Sequence, residues 1–411
     1  MPLPFRVYGH VDVDAFYASA AQVRNPFLMG KPLGVLSNQA YFVIAKSLEL
    51  KKYGVKTGEP LPDAIAKCPH AIFVKRDFAW YNALSDRFHA FMRKMVSPVC
   101  EEYSVDECFF VMPQYEDAST FAEKVRGLVK KYIGLPVTVG LGRSKTLAKL
   151  ISDTAKPNGA KAVLTEAEEH KLLGNLAVTE VSGIAGRRAR RMEPYGIKTC
   201  LDYINTPVAR IRQILTVEGA KLWNELRGDP VSKVQTERQR YKILTRGGSI
   251  GSATNKPDRA WAFVVKNLER LIEELHRHQL KTGRVEFHLE QRSYDYQMYH
   301  FGTGSNLEAP TDRFDLLVEV FEQLFRRTYQ RHLLVSRMHL LAHRLESAAT
   351  AQRGLFDPPD EPERTLAVTK RRINTDVSRF AIRSGATLPI KDWYDDPALG
   401  EEAIAPQRTV W

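Results

Sequence analysis

The chain has 411 residues, with 60 Lys and Arg against 48 Asp and Glu, a formal charge of +12 and a pI near 9.4. At roughly 100–200 residues per domain this length calls for two to four domains. Hydrophobic residues at 44% and charged residues at 26% exclude a disordered chain, and no apolar run reaches the ~18 residues of a membrane-spanning helix.

The N-terminus, Met1-Pro2-Leu3-Pro4-Phe5-Arg6, lacks the charged and apolar regions of a secretory signal. Residues 5–14 alternate as a strand that ends on two acids, and 15–24 follow as a helix. A short buried strand is expected at 33–37, then a helix over 41–52 that stops at Gly54. Residues 78–96 place Phe78, Tyr81, Leu84, Phe88, Phe91, Met92 and Met95 at helical spacing. Residues 99–104 and 108–112 read as a strand pair, 118–133 as an amphipathic helix, 136–142 as a strand and 144–155 as a helix halted before Pro157. This order suggests one α+β domain.

From about 165 to 237 the pattern is helical and basic. From about 240 to 345 it becomes strand (241–249), helix (258–279), strand (283–292), strand (295–303), helix (311–328) and strand (332–344), a split-βαβ order. After about 347 the periodicity collapses into a Pro- and acid-rich segment, expected to be a flexible tail. Cys68, Cys100, Cys108 and Cys200 contain no C-x-x-C pair, so neither a structural zinc nor a disulfide framework is expected, and a reducing cytosol fits. The charge is uneven. Residues 181–246 hold 14 Lys and Arg against 6 Asp and Glu, a net of +8, whereas 346–411 hold 9 against 11. A basic middle suits a domain that follows a phosphate backbone, and an exposed solvated surface is the plainer alternative.

Four acids stand at strand ends: Asp12 and Asp14 in the first strand, Asp106 and Glu107 between two apolar stretches. Acids among buried strand residues are costly unless paired or metal-bound. If the two strands are neighbours, their carboxylates can converge on one site. Carboxylate oxygens plus a substrate phosphate suit Mg²⁺, and two such ions would clamp a phosphoryl transfer. Spacing alone leaves loop acids or salt-bridge partners equally open.

Seven stretches, in order, decide between these: VDVDAFYAS (11–19), NPFLMGKPLGVLSN (25–38), VIAKSLELKKYGVKTGEPL (43–61), EEYSVDECF (101–109), TVGLGRSKTLAKLISDTAKPNG (138–159), GIAGRRARRMEPYGIKT (183–199) and QRGLF (352–356). The sequence resembles a Y-family (translesion) DNA polymerase, in the UmuC-like branch. The resemblance implies an α+β multidomain, right-hand fold: an α+β palm (1–14 and 77–164), small fingers (15–76), a helical helix-hairpin-helix thumb (165–237), a βαββαβ little finger (238–346) and the tail.

It further implies that Asp12, Asp106, Glu107 and the Val13 carbonyl hold two Mg²⁺ ions. Asp14 is given a structural role. Tyr17 matches the steric gate against a 2′-hydroxyl, with Phe16 beside it and Ile44 over the nascent base pair. Lys51 and Lys156 match phosphate contacts. Lys51 stands where many relatives have arginine, and Leu48 where many have tyrosine. Gly183, Ala185, Gly186, Arg187 and Arg188 match the DNA-binding hairpin, with Ala185 replacing a glycine. Gln352, Leu355 and Phe356 match a peptide for the bacterial sliding clamp. The implied activity is template-directed, low-fidelity extension of a primer 3′-hydroxyl with dNTPs, across damaged bases, in the cytoplasm. Primer–template DNA, the clamp and, for some relatives, an accessory dimer or recombinase filament are the implied partners. A catalytically inactive accessory subunit and a palm-type nucleotidyl cyclase are the alternatives. The intact acids argue against the first, and the basic hairpin and second α+β unit argue against the second.

Overall fold

The computed structural model describes residues 5–37, 40–113, 117–237, 241–349, 361–377, 381–393 and 403–404. The chain forms two compact units, 1–238 with 397–411, and 239–396.

The first unit is built on β1 (Tyr8–Val13), six residues that are all buried. Its apolar residues alternate with Gly9, His10 and Asp12, so the strand must lie at the centre of a sheet covered on both faces. Gly9 is required there: a Cβ would stand 2.0 Å from the Phe110 ring. α1 (Phe16–Arg24) follows, then β2 (Leu33–Leu36), β3 (Val43–Lys46), α2 (Leu48–Lys51), α3 (Leu61–Lys67) and β4 (Ile72–Lys75). α4 (Phe78–Phe91) runs on through a π-helical turn to Val96, and β5 (Cys100–Glu102), β6 (Glu107–Val111), α5 (Ala118–Ile133), β7 (Val137–Gly142), α6 (Lys145–Ala155) and β8 (Ala160–Ala162) complete the α+β part. The sheet order is β5-β6-β1-β7-β8, with β1 antiparallel to both β6 and β7. The register pairs Asp12 with Glu107 on one side and with Thr138 on the other.

α6 lies unusually close to this sheet because β7 carries Gly140, where a Cβ would stand 2.3 Å from the Ala148 carbonyl and 2.4 Å from the Ser152 nitrogen. Asp77, Asp117 and Ser144 cap α4, α5 and α6 with their side chains. A second sheet joins β4, β2 and β3, and β13 (Ala403–Ile404) pairs with β4. The helix expected over 41–52 is mostly absent. Val43–Lys46 pairs with β2, and only Leu48–Lys51 is helical, because the Ser47 hydroxyl caps a helix there and restarts the chain. Helices α7 (Glu166–Gly174), α8 (Gly186–Met192), α9 (Cys200–Asn205) and α10 (Val208–Leu226) follow around a core that includes Tyr203, Ile211 and Leu226.

The second unit runs β9 (Ile243–Thr254), α11 (Pro257–Arg277), β10 (Leu280–Arg292), β11 (Met298–Thr311), α12 (Phe314–Thr328) and β12 (Leu334–Ser347). The four strands are antiparallel in the order β11-β10-β12-β9. Val285, Phe287 and Leu289 of β10 join the core with Phe321 of α12 and Leu268 of α11, leaving the alternate residues of β10 on the opposite face. No helix among the described residues is long and apolar enough to cross a membrane.

The expectation of a flexible tail fails for part of it. α13 (Glu361–Asp376) and a 3₁₀ segment, Gly385–Trp393, belong to the second unit. Ile390 is 2% exposed in the core cluster that includes residues of α11 and α12. Glu269 of α11, itself buried, accepts from Lys370 Nζ (2.6 Å) and the Ser384 N–H (2.8 Å). The anchors are single residues in a polar stretch, too sparse to register as periodicity. Ile390→Ala should destabilise the second unit by ~2–5 kcal/mol. Denaturant unfolding followed in that unit measures this, and an unchanged midpoint would show that the segment does not contribute.

Candidate active site

The end of β1 and the start of β6 lie side by side, and their acids lie there with them. Asp12 is 7% exposed, and the Asp12 and Glu107 side chains interact directly. Asp106 lies beside them through the backbone, its carbonyl accepting the Val13 N–H at 2.9 Å. Its carboxylate accepts from the Ser104 hydroxyl at 2.7 Å.

Burying two facing carboxylates without compensation is prohibitive. The compensation comes from α6. Lys145, Lys149, Ser152 and Lys156 fall at spacings that line one helical face. Lys145 Nζ meets Glu101 at 2.7 Å, Lys149 Nζ ion-pairs with Glu107, Ser152 meets His10, and Lys156, just past the helix, meets Asp12 at 2.7 Å and Asp153 at 2.9 Å. Burial, together with the neighbouring Glu107, outweighs Lys156 and pushes the Asp12 carboxyl up to about 7. Lys149 and Lys156 hold Glu107 below its usual range despite its burial. Of the two, Asp12 is the acid whose proton affinity is raised and Glu107 the one whose affinity is lowered.

His10 is fully buried beneath them. The Ser152 hydroxyl donates to the Lys149 carbonyl at 2.7 Å, so His10 Nδ1, 2.7 Å from the same hydroxyl, must be the donor to it. That leaves Nε2 without a proton, 3.6 Å from Glu107 and without a hydrogen-bond partner among the described residues. Burial and the lysines keep the imidazole neutral.

Asp14 is a tether. It accepts from the Thr138 hydroxyl at 3.1 Å and from the Asn158 N–H at 2.8 Å, fixing the turn that presents Lys156. Tyr17 is half-buried and stacks on Tyr81 at 4.7 Å and 24°, with Phe16 and Phe78 at 5.6 and 5.7 Å. Burial raises its phenol pKa, and Asp106 and Arg76 are the charges that act on it, so the ring stands near Asp106. Tyr81 is 2% exposed, and burial pushes its phenol up to about 12.

Lys51 and Leu48 are exposed on α2. Lys46 is close enough to Lys51 that burial and that second ammonium both lower its pKa. Ile44 packs against the α+β core. At the hairpin, Gly183 takes φ +95 and Ile184 is buried. Ala185 caps α8 with extended backbone at φ −96, so no glycine is needed there, and a Cβ on Gly186 would meet nothing within 4 Å. Arg188 bonds back to the Gly183 carbonyl at 2.6 Å, while Arg187 stays exposed. Gln352, Leu355 and Phe356 lie outside the described residues.

The site residues expected from sequence thus separate into groups. Asp12, Glu107 and Lys156 are brought to one place, and Tyr17 stands near Asp106. Asp106 arrives by its backbone only. The reading missed Lys145, Lys149, His10 and Tyr81. The lysines were visible as an i, i+4 pair in GRSKTLAKL, a signal that ordinarily means a solvated face. The lowered proton affinity of Glu107 has a partner that no local pattern reveals.

Among the described residues no three His, Cys, Asp or Glu side chains are grouped so as to hold a metal ion as they stand. The donor chemistry nonetheless fits a hard divalent cation: carboxylate oxygens only, two already facing each other, and ammonium groups standing on both where a cation would be needed. The backbone that carries the third carboxylate, Asp106, is bonded to β1 next to the pair.

Comparison with known proteins gives a concordant result. Residues 11–153 match the model of the impB/mucB/samB family, and residues 242–355 match that family's C-terminal domain, between them more than half of the chain. DNA polymerase IV 2 of Agrobacterium fabrum is 33% identical over 239 residues, covering 57% of this chain and 66% of that protein. DNA polymerase IV of Bacillus velezensis is 26% identical over 397 residues, covering 93% of each. Among solved structures, a Y-family DNA polymerase chimera superposes with a TM-score of 0.68 over 83% of this chain and 99% of that one, at 22% identity, and so supports the fold.

With chelator present, Asp12→Asn should melt higher than the wild type at pH 8. A carboxyl whose folded pKa is raised from 3.8 to about 7 contributes stability that is present below pH ~4 and lost as the pH rises through ~7, and the amide escapes that loss. Thermal melts at pH 5 and pH 8 test this, and a variant that melts lower than the wild type at pH 8 would contradict the burial argument.

Proposed function

The chain belongs to the impB/mucB/samB family of Y-family DNA polymerases, and from this premise we propose that it extends a primer 3′-hydroxyl with deoxynucleoside triphosphates, at low fidelity and across damaged template bases. The observation that carries the reading is the facing pair Asp12 and Glu107 with Asp106 adjoining at the end of β1 and the start of β6. Phosphoryl transfer asks a protein mainly for positioning and charge, and this site is built of both.

Asp12, Asp106, Glu107 and the Val13 carbonyl are the groups that would hold two Mg²⁺ ions. Bound there, the ions supply charge neutralisation at the transferring phosphate and favour the ionised primer hydroxyl. The remaining roles belong to the chain itself. Lys156 is shared between Asp12 and Asp153, and once Asp12 has another cation it is free to meet a triphosphate. Lys51, with Lys46 near it, offers a second positive edge from the fingers. Tyr17 presents a ring that Tyr81 holds from behind, so a ribose 2′-hydroxyl meets a wall rather than a side chain that can swing away. Low fidelity follows from the small 15–76 segment, which offers little surface to test base-pair shape.

For DNA, the reading assigns Gly183, Ala185, Gly186, Arg187 and Arg188 to a backbone phosphate, supported by the +8 of residues 181–246. The second unit follows duplex backbone with phosphate contacts. Its Arg246, Arg284 and Arg337 already pair with Glu274, Glu286 and Glu290, so part of its positive charge is spent internally. Gln352, Leu355 and Phe356 are assigned to the sliding clamp. The relatives described above are named DNA polymerase IV. Placement in the UmuC-like branch rests on Leu48, where the phosphate-contacting tyrosine of many relatives is missing. An accessory dimer or recombinase filament, required by some UmuC-like relatives, is the further partner this placement brings in, and the compartment assigned is the cytoplasm.

Primer extension with Mg²⁺ is the test. Asp106→Ala and Glu107→Ala should each lower it by ~10²-fold or more with primer–template affinity retained, and extension at the wild-type rate would remove these roles. Tyr17→Ala should admit ribonucleotides at ~10-fold or greater relative frequency, and an unchanged sugar preference would dismiss it as the gate.

A further inference from the structure

The turn between β10 and β11 is unlike the rest of the surface. Tyr294 is 69% and Tyr296 74% exposed, and Met298 and Tyr299 follow at 44% and 36%. Tyrosines this exposed at alternate positions, with Met298 and Tyr299 following, form the kind of patch that marks an interaction site. Neither Tyr294 nor Tyr296 is loose. Ser293 and Asp295 bond to each other across the turn, and the Gln297 N–H donates to the Ser293 hydroxyl at 3.1 Å. Tyr294 Oη accepts from Asn255 Nδ2 at 3.3 Å, and Tyr296 sits at φ +68 with the Arg292 guanidinium 4.5 Å from its ring centre.

The same end of the unit is positively charged. Gln291 bonds to the Gln330 and Leu333 carbonyls, which brings the 330–333 loop, with exposed Arg331 and His332, against the end of β10. Tyr329 Oη donates to the Asn255 carbonyl, which brings exposed Lys256 to the same edge. Neither Arg331 nor Lys256 is in an ion pair among the described residues. Two acids share this edge: Asp295 in the turn, which accepts from the Ser293 hydroxyl, and Asp258, which stands near Tyr329.

Rigid exposed rings interleaved with free cations are what an unpaired nucleic-acid strand requires. The bases stack on the rings and the phosphates meet the cations, with no demand on sequence. A protein partner would also find tyrosines, but it would have to bury Arg331 and Lys256, neither of which has an ion-pair partner among the described residues. We propose that the Tyr294–Tyr296 turn is a stacking platform for unpaired bases of a single-stranded polynucleotide. The polymerase reading supplies the identity of that strand, the template outside the duplex. The contact chemistry does not depend on it.

The experiment uses the full chain and three labelled probes: a single-stranded oligo-dT, a blunt duplex, and a primer–template with a long 5′ overhang. Binding is followed by fluorescence anisotropy. The double variant Tyr294→Ser, Tyr296→Ser should bind oligo-dT at least ~10-fold more weakly, with blunt-duplex affinity and thermal melting unchanged. The Tyr294→Phe, Tyr296→Phe variant, which keeps both rings, should retain wild-type affinity. Unchanged oligo-dT affinity in the serine variant overturns the proposal. So does an equal loss on oligo-dT and blunt duplex, which would mean a general effect on the unit. Normal DNA binding with loss of a co-purifying protein would reassign the platform to a protein partner and also overturns it. The polymerase reading fails separately, if the wild-type chain extends no primer whatever its tyrosines bind.

Discussion

Two carboxylates facing each other under cover from solvent set the conditions for the first unit. Asp12 and Glu107 meet because β1 and β6 are central, antiparallel neighbours in a register that places them opposite. Such a pair cannot stand alone in a protein interior. The fold meets the cost with a single helix, α6, whose lysines reach Glu101, Glu107 and, just beyond its end, Asp12. Gly140 is the concession that lets the helix come near enough. The arrangement leaves Asp12 poorly ionised and Lys156 divided between two acids, a state that another cation would relieve. Nucleotide and metal would enter together into a site whose internal charges are provisional.

The same helix fixes the helical part of the unit. Ser144 at its N-cap donates to the Glu225 carbonyl at 2.6 Å. The buried Glu225 carboxylate accepts the Thr146 N–H at 3.1 Å and the Ser232 N–H at 2.6 Å. Arg143, one residue ahead of the cap, pairs with buried Glu169 of α7. The helix that offsets the charge of the site is thus also the one on which α7, α10 and the following segment are hung. A substitution on α6 should be read with both tasks in mind.

Much of this was legible in the sequence, for specific reasons. α5, α6 and the split-βαβ order were written in periodicity, because their helices have one buried face and clean capping or breaking residues, and β1 and β7 as short runs buried on both faces. Asp12, Glu107 and Tyr17 were legible because several motifs fell in the order of one family. The strand at Val43–Lys46 was not: its pattern of apolar and basic residues mimics an amphipathic helix, and only Ser47 marks the break. The docked tail was invisible because Glu269, Lys370, Ser384 and Ile390 act across long sequence separations. Lys149, His10 and Tyr81 escaped for the same reason, since each works through a partner on another element. The hydrogen bond from the Ser104 hydroxyl to the Asp106 carboxylate depends on side-chain geometry, below anything a sequence encodes.

The central claim is that the Asp12 and Glu107 carboxylates form a site for divalent cations engaged together with nucleotide and DNA. Mn²⁺ binding to the full chain with primer–template and dNTP, followed by electron paramagnetic resonance, tests it most directly. The account expects specifically bound Mn²⁺ in the wild-type complex and its loss in Asp12→Asn. Equal binding by the two proteins, or none by the wild type, would contradict it.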